Sequence, residues 1–270
     1  MAVAAAVDLA SVDLERRFGG LRRLYGDAGY VRLRAARVAV VGVGGVGSWA
    51  VEALARSGVA ALTLIDLDQV SESNINRQVQ ALGQTLGAAK VDALAQRIAD
   101  IHPGCAVTRV EAFVDADNWP ALLAAPVDAV IDACDQLHAK LVLAGWVLGA
   151  ADRRLVVCGA AGGKRKPQAI EIADLAQVTH DPLLAALRQR LRKQFAARLP
   201  AAAGRPFGID CVFSREPVAP PAQGEGGDGG LNCHGYGSSV GVTASFGMVA
   251  AQHVIEMLVG APAGRPQSEA

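Results

Sequence analysis

Short apolar runs alternate along the first two thirds of the chain with longer segments in which apolar residues recur at helical spacing. Residues 37–42 (RVAVVG) form an unbroken β-branched run, typical of a strand buried on both faces of a parallel sheet. The predicted strands are 37–42, 61–66, 107–112, 127–133 and 154–157, and the predicted helices are 48–57, 87–102 and 137–150. This alternation predicts an α/β protein with a doubly wound, mainly parallel sheet.

The last third of the chain has a weaker pattern. The elements predicted there are a strand, an arginine-rich helix, a Pro- and Gly-rich loop and an apolar helix, at 169–172, 182–198, 217–230 and 238–259. We therefore predict a single domain over residues 16–260, with 161–260 as its C-terminal extension and tails at 1–15 and 261–270.

The apolar segment 238–259 is long enough to cross a membrane. Gln252, His253 and Glu256 interrupt its second half, and Gly241 and Gly247 weaken it further. These residues favour a packing helix buried in the fold. We expect no stable membrane insertion.

Composition narrows the choice of protein class. The chain has 270 residues, 51% of them apolar and 19% charged, which excludes a disordered protein. Its formal net charge is zero, so any surface that binds nucleic acid must be local. The five cysteines include no CxxC pair, which disfavours a zinc site of that kind and a disulfide framework. We expect a cytoplasmic protein.

A glycine-rich loop follows the first predicted strand. Residues 42–47 (GVGGVG) leave the strand and open the next helix, where glycine lets the backbone approach a phosphate and helix N–H groups face it. Asp66 ends the following strand, where an acid can hold ribose hydroxyls. The sheet is therefore expected to be Rossmann-like, and at this point an NAD-dependent oxidoreductase is a serious alternative.

The residues after Asp66 favour a triphosphate over a nicotinamide. Asn74 and Arg77 lie in the run 73–78 (SNINRQ), and Lys90 follows in the first turn of a predicted helix. The helix dipole disfavours a cation at that position, which indicates a partner anion. Two cations near the β- and γ-phosphates would stabilise the charge that develops on a pyrophosphate leaving group.

The run from Asp66 to Gln78, with GVGGVG before it and Gly87 and Lys90 after it, resembles the adenylation domain of the ThiF/MoeB superfamily. Members bind ATP and Mg²⁺ and activate a carboxylate at the α-phosphate. The resemblance covers residues 16–160 approximately and implies that they form the ATP-binding half. Residues 161–260 are then a substrate-side extension.

The resemblance also implies roles for individual residues. The implied nucleotide-binding residues are Gly42, Gly44, Gly45, Gly47, Ser48, Asp66, Asn74, Arg77 and Lys90. Asp135 matches the family's Mg²⁺ ligand, and Arg77, Lys90 and Asp135 are the implied catalytic residues. Asp132 is the less favoured of the two acids and is expected to cap the chain turn.

Four further segments carry a second resemblance. They are 17–26 (RFGGLRRLYG), 159–163 (GAAGG), 210–214 (DCVFS) and 232–237 (NCHGYG). Together they are similar to the branch of the superfamily formed by the tRNA threonylcarbamoyladenosine dehydratases. This resemblance implies that ATP adenylates the carboxylate of the modified nucleoside in tRNA. The amide oxygen or nitrogen of the same group then closes on the activated carbon, with release of AMP and pyrophosphate.

Other readings stay open at this point. One alternative is an activator of a ubiquitin-like sulfur carrier. Such activators usually have zinc cysteines, which are missing here. They also have an arginine that reaches the partner subunit's ATP, and Gly20 occupies its position in this chain. Arg17 and Arg23 are candidates to replace that arginine. A non-catalytic nucleotide-binding scaffold is disfavoured because Arg77 and Asp135 are both present.

The resemblance also implies partners. Superfamily members are usually symmetric dimers, so a homodimer is expected. Cys233 matches a cysteine of the family motif and is a candidate reactive cysteine, linked to a cysteine desulfurase or sulfur-acceptor system, although a small residue without chemistry is the alternative. The tRNA is expected to contact residues 164–166 (KRK) and the helix 182–198, where Arg188 and Arg192 share a face.

Overall fold

The computed structural model describes residues 12–200, 205–219 and 236–260. Its strands are β1 (Arg37–Val41), β2 (Ala61–Ile65), β3 (Ala106–Val110), β4 (Ala129–Asp132), β5 (Leu155–Cys158), β6 (Ile170–Asp174) and β7 (Asp210–Ser214). These strands form one seven-stranded sheet in the order β3-β2-β1-β4-β5-β7-β6. Neighbouring strands are parallel, except that β6 pairs antiparallel with β7.

Helices cover both faces of this sheet. They are α1 (Leu14–Phe18), α2 (Gly20–Ala35), α3 (Gly47–Arg56), α4 (Lys90–Ile101), α5 (Leu137–Val147), α6 (Pro182–Gln194) and α7 (Val240–Val259). One apolar core lies between the sheet and α2, α3, α4 and α7, and the other lies between the sheet and α5 and α6. In β1, Val38 and Val40 face the first core while Ala39 and Val41 face the second, as predicted for a strand buried on both sides.

The predicted α/β fold with a doubly wound, mainly parallel sheet is confirmed. Helix α4 begins at Lys90 and not at residue 87, because Gly87 adopts φ +81°, outside the helical region. Helix α6 ends at Gln194 and is followed by a 3₁₀ turn over Ala196–Arg198. Most of the predicted loop 217–230 and of both predicted tails lies outside the described residues.

The C-terminal extension is part of the same sheet. Strand β7, which the sequence pattern does not predict, pairs with β5 on one side and with β6 on the other. Helix α7 then returns to the first half of the chain and packs against α2 and α3. The two halves therefore share both cores within the described residues.

The strand order reverses between β1 and β4, which are neighbours in the sheet. The chain leaves β1 for α3 on one face and leaves β4 for α5 on the other. In open α/β sheets, such a reversal leaves a crevice at the carboxyl ends of the strands, which is where ligands bind. The predicted site residues follow β1, β2 and β4 at that edge.

Helix α7 has the length and composition of a membrane span, but 56% of its apolar window is buried inside the fold. Its buried residues recur at helical spacing and belong to the first core, as Val242, Phe246, Ala250 and Val254 illustrate. The predicted packing role of this helix is confirmed.

Gly247 allows α7 to approach the start of α3. A Cβ at this position would overlap the carbonyl oxygen of Val46 and would lie 2.9 Å from the backbone nitrogen of Ala50. Val46 precedes α3 and belongs to the glycine-rich loop. The contact therefore links the C-terminal extension to that loop through backbone atoms.

We predict that Gly247→Ala lowers the free energy of unfolding by about 1–3 kcal/mol, the usual cost of overpacking a filled core. Helix propensity alone would favour alanine by about 1 kcal/mol, so the direction of the change isolates the steric effect. Urea denaturation monitored by circular dichroism measures it. Gly241→Ala is the matched control in the same helix, because no atom lies within 4 Å of its added Cβ. Equal stability of the two variants would contradict the prediction.

Candidate active site

A cavity of about 570 Å³ opens at the carboxyl edge of the sheet. Its first wall follows β1 and β2 and includes Gly44, Gly45, Asp66, Asn74, Arg77 and Lys90. Its second wall follows β4 and β5 and consists of residues 133–136 and 159–162. The cavity therefore lies at the crevice that the strand order predicts.

The glycine-rich loop contributes backbone to the first wall. Gly44 and Gly45 line the cavity, where the absence of a side chain lets a ligand approach the backbone. Gly42 adopts φ +78°, and a Cβ there would lie 2.7 Å from the backbone of Cys134. A Cβ at Gly47 would overlap the carbonyl oxygen of Gly42. Gly42 and Gly47 thus allow the loop to fold, and Gly44 and Gly45 let a ligand approach its backbone.

Asp66 ties the end of β2 to this loop. Its Oδ2 accepts a hydrogen bond from the Val43 N–H at 2.8 Å, and its Oδ1 accepts one from the Asp68 N–H at 2.9 Å. Burial raises the pKa of the Asp66 carboxyl, while the nearby Lys90 ammonium opposes the increase. The carboxylate lines the cavity, at the position predicted for a ribose-binding acid.

Lys90 is the first residue of α4 and its side chain is almost completely buried. Its Nζ lies 2.6 Å from Asp68 Oδ2 and 4.0 Å from Asp66 Oδ1. The sequence predicts a partner anion for this cation, and in the free protein carboxylates supply it. A bound phosphate would add a third anion beside Nζ.

Arg77 and Asn74 come from the turn after β2. The Arg77 Nη1 donates to the carbonyl oxygen of Ser73 at 2.6 Å and to Asn76 Oδ1 at 3.0 Å. The Trp49 indole N–H donates to the Arg77 carbonyl oxygen at 2.9 Å, which fixes the backbone of Arg77. Asn74 is buried, and its Oδ1 accepts from the Ser71 N–H at 3.0 Å. The side-chain oxygen of Asn74 therefore stabilises the turn that follows β2.

Asp135 lies in the second wall, directly across the sheet edge from the glycine-rich loop. Its side chain is exposed and lines the cavity. Residues 159–162 continue this wall, and the Ala160 N–H is held by Asp181 Oδ2 at 2.9 Å. The structure therefore brings the predicted Arg77, Lys90 and Asp135 to one cavity, although they come from separate segments of the chain.

Comparison with known proteins identifies the family. The model of the ThiF family matches residues 19–269. The chain belongs to the ThiF family. A tRNA threonylcarbamoyladenosine dehydratase of Haemophilus influenzae is 40% identical over 255 residues, which cover 93% of this chain and 97% of that protein.

Two solved structures are similar to this chain in fold as well as in sequence. Both are of E. coli tRNA N6-threonylcarbamoyladenosine dehydratase, and each has a TM-score of 0.82. The complex with ATP is 40% identical and the match covers 91% of this chain and 95% of that one. The complex with AMP is 39% identical and the match covers 95% and 98%.

A buried ion pair beneath the second wall is a feature that the sequence reasoning missed. Asp132 and Lys140 are both completely buried, with Asp132 Oδ1 3.1 Å from Lys140 Nζ. Burial alone would lower the pKa of Lys140, but the carboxylate of Asp132 more than offsets it and the pKa is raised. The signal was a lone lysine in the apolar segment Leu137–Val147. Asp132 accepts the Cys134 N–H, as expected for a residue that caps the turn, and in addition pairs with Lys140.

Gly47 and Ser48 lie behind the cavity, outside its lining. Ser48 is completely buried, and its Oγ accepts a hydrogen bond from the Val79 N–H at 3.4 Å. Both residues pack at the start of α3, and the phosphate contact that the resemblance implies for them stays a prediction.

Two cysteines, Cys134 and Cys233, are candidates for chemistry. Cys134 lines the cavity, and its thiol donates to Asp132 Oδ1 at 3.0 Å; burial raises the pKa of that thiol well above its usual value. A raised pKa disfavours the reactive thiolate. Cys233, the candidate reactive cysteine, lies outside the described residues.

Two cations predicted to contact RNA are engaged inside the protein. Lys164 is 3% exposed, and its Nζ donates to the carbonyl oxygens of His180, Ser214 and Glu216. Arg188 donates to two backbone carbonyl oxygens at 3.1 and 2.7 Å. The buried ammonium group of Lys164 is therefore not available to a phosphate, which corrects the expectation for that residue, while RNA contact by the half-buried Arg188 stays a prediction. The predicted cations that stay exposed are Arg165, Lys166, Arg190, Arg192, Lys193 and Arg198.

We predict that Arg77→Ala raises the Kd for ATP by about tenfold or more, because a charge-assisted hydrogen bond contributes about 1.5–3 kcal/mol. Isothermal titration calorimetry without tRNA measures the effect. Arg109→Ala is the matched control, since Arg109 pairs with Asp92 on the surface and lies outside the cavity lining. An unchanged Kd in Arg77→Ala would remove Arg77 from the nucleotide site.

Proposed function

We propose that this protein is an ATP-dependent tRNA threonylcarbamoyladenosine dehydratase that activates its substrate by adenylating a carboxylate. The observation that carries the proposal is the extent of the likeness: 40% identity to a protein of that name spans 93% of this chain. The first wall alone would suit any member of the family that adenylates a carboxylate. The likeness along the second half of the chain singles out the dehydratases.

The first wall is suited to the triphosphate. The backbone of the glycine-rich loop lines the cavity at Gly44, Gly45 and Val46, just before α3, where peptide N–H groups can donate to phosphate oxygens. Arg77 and Lys90 place two cations on the same side, where they would stabilise the negative charge that grows on the departing pyrophosphate. Asp66, already fixed by two backbone N–H groups, offers its carboxylate to the ribose hydroxyls.

We assign the substrate carboxylate to the second wall, because the first wall holds the cations and glycines suited to the triphosphate. A carboxylate oxygen of the substrate attacks the α-phosphorus, and the bond to pyrophosphate breaks. The amide oxygen or nitrogen of the same substrate group then attacks the activated acyl carbon, AMP leaves, and a proton is lost from the amide. Because the attacking atom belongs to the substrate, this route needs no nucleophile from the protein.

We propose that Mg²⁺ accompanies ATP and that Asp135 holds it. Among the described residues, no three His, Cys, Asp or Glu side chains are grouped to hold a metal. A single exposed carboxylate in the cavity fits Mg²⁺ bound mainly by phosphate oxygens and water. When bound, the ion would neutralise part of the triphosphate charge.

We test the function by supplying purified protein with ATP and one of three substrates. These are tRNA that carries threonylcarbamoyladenosine, the same tRNA without the modification, and a sulfur-carrier protein ending in Gly-Gly. We expect AMP and pyrophosphate only with the modified tRNA, and a loss of one water mass from its nucleoside. Turnover with the carrier alone would replace the proposal by the alternative, activation of a sulfur carrier. In that case Cys233, proposed as the link to a cysteine desulfurase or sulfur acceptor, is the next residue to substitute.

We predict that Asp135→Asn lowers kcat for dehydration by about 100-fold or more, the size of effect seen when one group that stabilises developing charge is removed. Its exposed side chain makes the fold insensitive to the change. AMP release at saturating ATP measures the effect. Asp117→Asn is the control, because Asp117 is equally exposed and lies outside the cavity lining. A kcat within threefold of the unmodified protein would exclude an essential role for Asp135.

We also propose that the protein is a cytoplasmic homodimer. Leu24 and Val31, on α2, expose 69% and 61% of their surface and are the apolar side chains we assign to the interface. Light scattering should give about twice the chain mass of 27.8 kDa. A mass of one chain at micromolar concentration would contradict the dimer.

A further inference from the structure

We propose that Lys140 is a positioning residue, which fixes the two segments of the second wall relative to each other. Only the turnover readout of this proposal rests on the proposed function. Lys140 lies on α5 and lines no part of the cavity, so it is not placed to touch a substrate.

The contacts of Lys140 join the ends of two strands. Its Nζ donates to Asp132 Oδ1 at 3.1 Å and to the carbonyl oxygen of Cys158 at 2.9 Å. Asp132 is the last residue of β4, and Cys158 is the last residue of β5. The segments 133–136 and 159–162, which form the second wall, begin at the next residue in each case. One ammonium group therefore holds both segments from beneath.

The anion of the pair extends this connection toward Asp135. Asp132 Oδ1 also accepts hydrogen bonds from the Cys134 N–H at 3.3 Å and from the Cys134 thiol at 3.0 Å. The backbone of Cys134 lies so close to Gly42 that a Cβ on that glycine would be 2.7 Å away. A shift of Asp132 would therefore move the turn before Asp135 and press on the glycine-rich loop.

Stability alone does not account for this pair. Removing two charges from water costs about as much as their attraction returns, so an apolar pair of similar volume would hold the core equally well. The rest of α5 that faces the core is apolar, including Leu141, Leu143 and Ala144. An ion pair differs from an apolar contact in its directed hydrogen bonds, and these hydrogen bonds end at the second wall.

The experiment compares Lys140→Met, Asp132→Asn and the double variant. The measurements are unfolding in urea, ATP binding without tRNA, and kcat with modified tRNA at a temperature where each variant is folded. Each single variant should lose stability and lower kcat by about 100-fold, because a small misplacement of reacting groups has that effect. The Kd for ATP should change less than kcat does, because the side chains of Asp66, Arg77 and Lys90 in the first wall make no hydrogen bond to the pair. The double variant should recover stability, because no buried charge is left unpaired, but its kcat should stay low.

Arg97→Met is the matched control. Arg97 Nε lies 2.5 Å from Glu52 Oε2, and the side chain of Glu52 is 4% exposed while that of Arg97 is 35% exposed. This variant also removes a cation from a buried carboxylate, which keeps Arg56 as its second partner, and the pair lies outside the cavity lining. It should lose stability and keep its kcat. The proposal is overturned if Lys140→Met keeps a kcat within threefold, or if the double variant recovers kcat together with stability.

Hydrogen exchange separates a failure of this proposal from a failure of the proposed function. If the unmodified protein does not turn over modified tRNA, the function is wrong and kcat cannot be used. In Lys140→Met, exchange should still rise in 133–136 and 159–162, while in Arg97→Met these segments should stay as in the unmodified protein. Unchanged exchange in both segments of Lys140→Met would overturn the positioning role by itself.

Discussion

The close contact between Gly42 and the backbone of Cys134 couples the two walls of the cavity. Gly42 follows β1 and Cys134 follows β4, and these strands are neighbours at the point where the strand order reverses. A Cβ on Gly42 would lie 2.7 Å from Cys134, so any larger residue would separate the strand ends. The positive φ of Gly42 turns the chain into the glycine-rich loop at the same place. One backbone contact therefore sets both the shape of the loop and the position of Asp135 relative to it.

Charge at this edge of the sheet is arranged on two levels. At the cavity surface, Lys90 lies beside Asp66 and Asp68, where a phosphate can join them. Beneath the surface, Asp132 and Lys140 neutralise each other without access to water. A ligand can engage the upper groups because they are at the cavity lining, while the lower pair is reached only through the backbone it holds.

The C-terminal extension belongs to the same sheet and the same two cores as the first half of the chain. Strand β7 enters the sheet beside β5, and α7 returns to pack on α3 through Gly247. The first and second walls of the cavity are consequently parts of one packed unit. A reaction in which the substrate supplies both the carboxylate and the attacking amide needs such a fixed arrangement more than it needs a reactive side chain.

The sequence by itself determined the fold class and the first wall. A strand, a glycine loop and a helix are local features, and Asp66, Arg77 and Lys90 lie within one contiguous stretch, so hydrophobic period and motif spacing identify them. The tertiary structure decided what depends on contacts between distant segments. The strand character of Asp210–Ser214 comes from its pairing with β5 and β6. No local pattern predicts the burial of Lys164, the carbonyl contacts of Arg188 or the pairing of Lys140 with Asp132 and Cys158. The position of a charged residue in the sequence does not indicate which backbone oxygen from a distant segment will lie next to it.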